Sequence, residues 1–188
     1  MIYIENKERK KNKPVVYRLN EVFTMSQYIH FFVRSTDRLL PIRTTSRSSS
    51  IYHFFSDYAP YEKARALSIQ ELQDIREEIN TRIDEWTRRI EEERTNLQLI
   101  ASFNNSVEHK IKALEFARGS IRENEEYVNE MKEALAFTYF LIDIYNEADD
   151  TKYEDETARL DPTKYLYFGI ECGTPSIAEI EEWENSKN

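Results

Sequence analysis

Val107, Leu114, Ile121, Val128, Leu135 and Ile142 are all apolar and stand seven residues apart. A strict heptad column makes a narrow stripe along a helix, and such a stripe needs a partner helix to cover it. The pattern places that partner just upstream. Ser68 and Glu71 form a capping box, in which two side chains satisfy two orphan backbone donors at a helix start. Leu72, Ile75, Ile79, Ile83, Trp86, Ile90, Leu97, Ile100 and Phe103 then follow at helical spacing. Asn104-Asn105-Ser106 breaks the run: paired asparagines tolerate left-handed turn geometry, and Ser106 can cap a second helix reaching about Glu147. The chain is therefore expected to be mainly α. Its centre is a long antiparallel helical hairpin, a coiled-coil-like arm over residues 68–148.

Three details refine the arm. A fold about Asn104–Asn105 sets Ile90 opposite Gly119, the only glycine in either helix. An interior helical glycine costs on the order of 1 kcal/mol relative to alanine, so either Ile90 or Trp86 approaches closely there or the glycine is a tolerated surface residue. Glu93, Arg94 and Asn96 fall within the first stripe and Asn124 and Glu125 near the second, where they either set register or face a third element. The closing section of the second helix, Ala134–Tyr145, is apolar almost all round, which predicts burial on several sides and an anchor into a globular head.

The remainder is expected to build that head, a small mixed α+β unit formed by residues 1–67 and 149–188. Met1–Glu5 and Val15–Leu19 read as two strands of a hairpin around a basic loop. Residues 20–34 fit either a helix or a strand, and the spacing of Val22, Met25, Ile29 and Phe32 favours the helix. Residues 35–50, with Pro41 and six Ser/Thr from Thr44 onward, read as a loop, and Pro60 as the first residue of a short helix over 60–67. After an acidic loop, Tyr165–Ile170 reads as a strand. A second capping box, Ser176 with Glu179, opens a short helix carrying Ile177, Ile180 and Trp183 on one face.

Charge divides the chain. Residues 1–50 hold ten Lys/Arg against four Asp/Glu, a net of +6, whereas residues 51–188 hold sixteen against thirty-one, a net of −15. Such a split implies different partners for the two parts or docking of one on the other. A single cysteine, no apolar run of the length that spans a bilayer and no signal-like N-terminus give the expectation of a cytoplasmic protein in a reducing compartment, away from membranes.

Candidate chemistry is sparse. His30-Phe31-Phe32 repeats as His53-Phe54-Phe55, yet no metal-ligand spacing accompanies the histidines, so packing beside aromatic pairs is the simpler expectation. Cys172 is the lone thiol, and its neighbour Glu171 opposes a reactive thiolate. Three glycines furnish no phosphate-cradling loop. No catalytic residue, metal site or cofactor is assigned. Lys7, Arg9, Lys10, Lys11, Lys13, Arg43 and Arg47 stand among aromatic residues and could hold phosphates while rings stack on bases. Asp84, Glu85, Glu91, Glu92, Glu93, Glu125 and Glu126 lie along the arm, with Asp84/Arg88 and Glu85/Arg89 at ion-pair spacing. They form a candidate acidic face for a basic groove on another protein.

Three functions follow, in order. The first is a non-catalytic interaction or inhibitor protein that binds a host protein through its acidic arm and self-associates as a homodimer through the exposed side of the seam. In its compact, acidic, motif-free character it is similar to accessory proteins of viruses and mobile elements. The second is a nucleic-acid-associated protein contacting phosphates through the basic head. The third is an enzyme with a site assembled from His30, His53 and Cys172.

Overall fold

The structure is a computed structural model, and it describes residues 27–34, 38–102, 106–150 and 166–186. It is mainly helical, with two long packed helices and a small antiparallel sheet. The elements run β1 (Tyr28–Arg34), β2 (Leu39–Ser46), α1 (Ser50–Phe55), β3 (Arg65–Ala66), α2 (Ile69–Ser102), α3 (Val107–Asp150), β4 (Leu166–Ile170) and α4 (Ile177–Asn185). The proposed hairpin of Met1–Glu5 with Val15–Leu19 and the basic loop between them lie outside the described residues.

The sheet has the order β2-β1-β4-β3, so the strand nearest the C-terminus sits between strands from the N-terminal part. β1 pairs antiparallel with both β2 and β4. Ile29 and Phe31 face one cluster of buried side chains, shared with α1, α2 and α3. Phe32 faces the other, shared with Tyr167, Cys172 and Ile180 of α4. The sheet is thus covered on both faces. An internal strand covered on both sides loses the apolar–polar alternation that normally reveals it, which is why residues 28–34, expected as helix, form a strand instead.

Two further expectations are corrected. Residues 39–46 are strand β2 rather than loop, and Pro41 is tolerated because β2 lies at the sheet edge. The pairing passes from Phe31↔Arg43 to Phe32↔Pro41, which leaves Ile42 as the extra residue of a bulge. Residues 60–67 form no helix. Their backbone groups bond to β4 instead: the Ile170 N–H donates to the Pro60 carbonyl, Glu62 N–H to the Ile170 carbonyl and Leu67 N–H to the Leu166 carbonyl. Long-range pairing outcompetes the local signal of a proline at a helix start.

The helix expectations hold at their ends. At α2 the Ser68 Oγ accepts from the Glu71 N–H at 3.2 Å while the Glu71 carboxylate accepts from the Ser68 N–H at 2.9 Å. At α4 the same reciprocal box joins Ser176 and Glu179. Ser106 accepts from the His109 N–H at the start of α3. Leu72, Ile75, Ile79 and Ile90 are buried along α2, as their spacing required.

The heptad column is only partly the buried row of α3. Ile121 and Val128 are buried, but Val107 is 74% exposed, and beyond Val128 the buried row moves to Met131, Ala134, Thr138, Leu141 and Tyr145. A helix of 3.6 residues per turn drifts by about 20° per heptad against a strict seven-residue repeat. Leu135 and Ile142 therefore rotate to half-buried positions. The section expected to be buried on several sides is buried on one: Phe137 and Leu141 face inward, while Tyr139 and Phe140 are exposed.

Candidate functional site

Three places were open to hold function: the histidine–cysteine set, the basic head and the acidic arm. The first is dispersed. His30 lies on β1 beside Phe32, with its Nδ1 3.0 Å from the Thr44 hydroxyl. His53 is exposed on α1, which packs on the opposite, Phe31 side of the sheet. The repeated His-Phe-Phe triplets serve packing, since Phe31 of the first and Phe55 of the second meet edge to face at 5.1 Å. Cys172 is buried, and burial pushes its thiol up to about 11, so it stays protonated at neutral pH. Among the described residues no group of three His, Cys, Asp or Glu could hold a metal ion.

Of the candidate phosphate contacts, Lys7, Arg9, Lys10, Lys11 and Lys13 lie outside the described residues. Arg43 is exposed on β2, and its guanidinium lies 4.9 Å from the ring centroid of Phe137 on α3. Arg47 is exposed in the turn that leads into α1. The guanidinium of Arg43 is therefore already engaged over an aromatic face.

The arm is more informative, because its seven candidate acids take different roles. Glu93 and Glu125 join the two long helices. The Glu93 carboxylate accepts from the Ser120 hydroxyl at 3.2 Å and from the Asn124 amide at 3.2 Å. Glu125 pairs with Arg94 at 2.7 Å, and Arg94 also pairs with Glu91 on its own helix. The mid-stripe polar residues thus form a cross-helix network. Beside it, Trp86 and Tyr127 meet edge to face at 5.0 Å. Gly119 has open space around it, so close approach of Ile90 or Trp86 is not its reason.

Asp84, Glu85, Glu91 and Glu92 form a second group. They are exposed, and their helical positions point away from the buried row of Leu72, Ile75, Ile79 and Ile90. The expected intrahelical pairs do not form. Arg88 reaches forward to Glu92 at 3.3 Å, and Arg89 lies over the Trp86 ring at 4.8 Å. Asp84 and Glu85 consequently enter no ion pair among the described residues. Glu126 is exposed on α3, separate from the α2 row.

Where α2 meets the head, Glu71 does more than cap. It accepts two hydrogen bonds from Arg65, at 2.6 and 3.0 Å, and Arg65 also donates to the Tyr58 carbonyl and stacks over Phe168. The sequence revealed the capping box but not Arg65, because nothing local links β3 to the helix start. Burial alone would raise the Glu71 carboxyl, but the Arg65 and Ser68 hydrogen bonds outweigh it and hold the group below its ordinary value. A carboxyl lowered in the folded state stabilises the fold above its unfolded pKa, and that stability is lost as pH falls through the folded value. Glu71→Gln is therefore expected to lower the melting temperature at neutral pH. The gap from wild type should close as the pH is taken down through roughly 5 to 3 in thermal melts. A gap independent of pH contradicts this role.

The chain matches no protein-family model, no curated protein and no solved structure. No helix among the described residues is long and apolar enough to cross a membrane.

Proposed function

We infer that the protein is a non-catalytic interaction module: α2 and α3 form an antiparallel hairpin arm, and the outer side of α2 binds a basic groove on another protein. The observation that carries this reading is the row Asp84, Glu85, Glu91 and Glu92, exposed on the side of α2 away from the packed stripe, with Asp84 and Glu85 left outside every ion pair described. Two supports strengthen it. The cross-helix network at Glu93 and Arg94 fastens α2 to α3 behind this row, so the carboxylates stand on a stiff element. The unpaired carboxylates of Asp84 and Glu85 also speed encounter with an oppositely charged surface and reject like-charged ones. An inhibitor role would follow if the groove so occupied were a functional one.

The test is capture from extract of the source cell with the whole chain, beside a variant carrying Asp84→Lys and Glu85→Lys. Both sites are exposed and outside every ion pair described, so the variant should fold. The reading requires a partner that wild type holds, that the variant loses, and whose retention weakens as salt rises. A partner held equally by both proteins, or none held by wild type, contradicts it.

A further inference from the structure

The far end of the arm has an unusual surface. Val107 is 74% exposed, Ile111 50% and Phe116 80%, although each is a large apolar residue. Val107 and Ile111 are four residues apart and so share one face of α3, and half-buried Leu114 adjoins them on that face. Phe116 projects from another side of the helix. The Val107–Leu114 face is the start of the same heptad column whose later members, Ile121 and Val128, are buried in the core cluster with α2 residues. Toward this end the column has rotated off the half-buried row of Lys110, Ala113 and Ala117, and Val107 and Ile111 stand bare beside the packed seam.

We propose that this end of the arm is a self-association surface, in which Val107 and Ile111 pack on the same residues of a second copy of the chain. Charge selects a second copy over other occupants. Residues 95–120 hold three Lys/Arg and two Asp/Glu, a net of +1. The sections on either side are strongly acidic: residues 68–94 hold five Lys/Arg against nine Asp/Glu, and residues 121–150 hold two against nine. Two copies repel along most of the arm, but not here. The end is thus the one section of the arm where identical chains meet with little like-charge penalty, and it is where the aliphatic face is bare. An isologous contact also needs a surface complementary to itself, which an aliphatic stripe of Val, Ile and Leu provides and a charged row does not. Overlap at the ends leaves both acidic α2 rows pointing outward. This inference rests on the reading of the arm as the interacting element and adds what its end does.

The experiment is sedimentation or light scattering of the whole purified chain over a concentration series, with no partner present. Wild type should show a concentration-dependent dimer, and Val107→Glu with Ile111→Glu should weaken it by about tenfold or more. Phe116→Ser, on another side of the helix, should leave it intact. Both sites of the double variant are exposed, and unchanged far-ultraviolet circular dichroism checks its fold. Wild type that stays monomeric, or a dimer untouched by the double variant, overturns the proposal. Loss of the dimer with capture of a partner retained separates this surface from the acidic row, and the reverse result separates them equally.

Discussion

Phe31→Ala should destabilise the protein by about 3–5 kcal/mol, the range for deleting a fully buried aromatic ring. Phe31 is 1% exposed at the centre of the head, where three other elements meet on its ring. Phe55 of α1 lies at 5.1 Å, Phe137 of α3 at 5.0 Å and Phe168 of β4 at 6.1 Å. Two of these contacts are edge to face, a geometry that adds to simple burial. Removing the ring leaves a cavity bounded by a strand on each side and by helices that cannot all close in at once. For a chain of this size the loss corresponds to roughly 6–20 °C in melting temperature. The same ring holds the base of α3 through Phe137, so the substitution should also loosen the anchor of the arm. A decrease of under about 1 kcal/mol would show that the aromatic cluster does not organise the head.

Gly169→Ala and Gly119→Ala should move stability in opposite directions. Gly169 sits in β4 opposite His30, and a methyl group there would overlap the backbone carbonyl of Lys63 and press on the Cys172 sulfur. A carbonyl held by the chain's own backbone cannot swing aside, so the segment before β3 must move off β4. The expected cost is about 3 kcal/mol or more, at the upper end for overpacking a core. Gly119 has nothing within contact distance and lies inside a long helix, where alanine is the better residue. Gly119→Ala should therefore stabilise by about 0.5–1 kcal/mol. Thermal or denaturant unfolding of the two variants reads both signs. A stabilising Gly169→Ala would mean that Lys63 does not crowd β4.

The helical part of this architecture is legible because its signals are local. Two capping boxes, an asparagine break and an apolar row at 3.6-residue spacing locate α2 and α4, the start of α3 and its general length. The sheet is not legible in the same way. β1 and β4 are covered on both faces, so neither shows alternation, and β2 carries a proline and a bulge that disguise it as a loop. β3 is two residues long and exists only because β4 pairs with it. The strict heptad column overstates its own regularity, since a straight helix rotates the column out of the buried row within three repeats.

At the candidate site the sequence located the acidic residues, and the structure divided them by role. Glu93 and Glu125 are spent on joining the long helices through Ser120, Asn124 and Arg94. The i,i+4 arithmetic for Asp84 and Glu85 failed because Arg89 turns to the Trp86 ring and Arg88 to Glu92. Spacing alone lists possible partners, and packing decides among them. Their unpaired state on the outer side of α2 is what turns a charged helix into a candidate binding surface.

That surface can be tested directly by hydrogen exchange of the whole chain, alone and in complex with a captured partner. If α2 is the binding element, slowed exchange should centre on peptides covering residues 77–95, with the sheet of β1 and β4 unchanged. Slowed exchange confined to the sheet and α1, with α2 exchanging as in the free protein, would contradict the assignment of the arm as the site of binding.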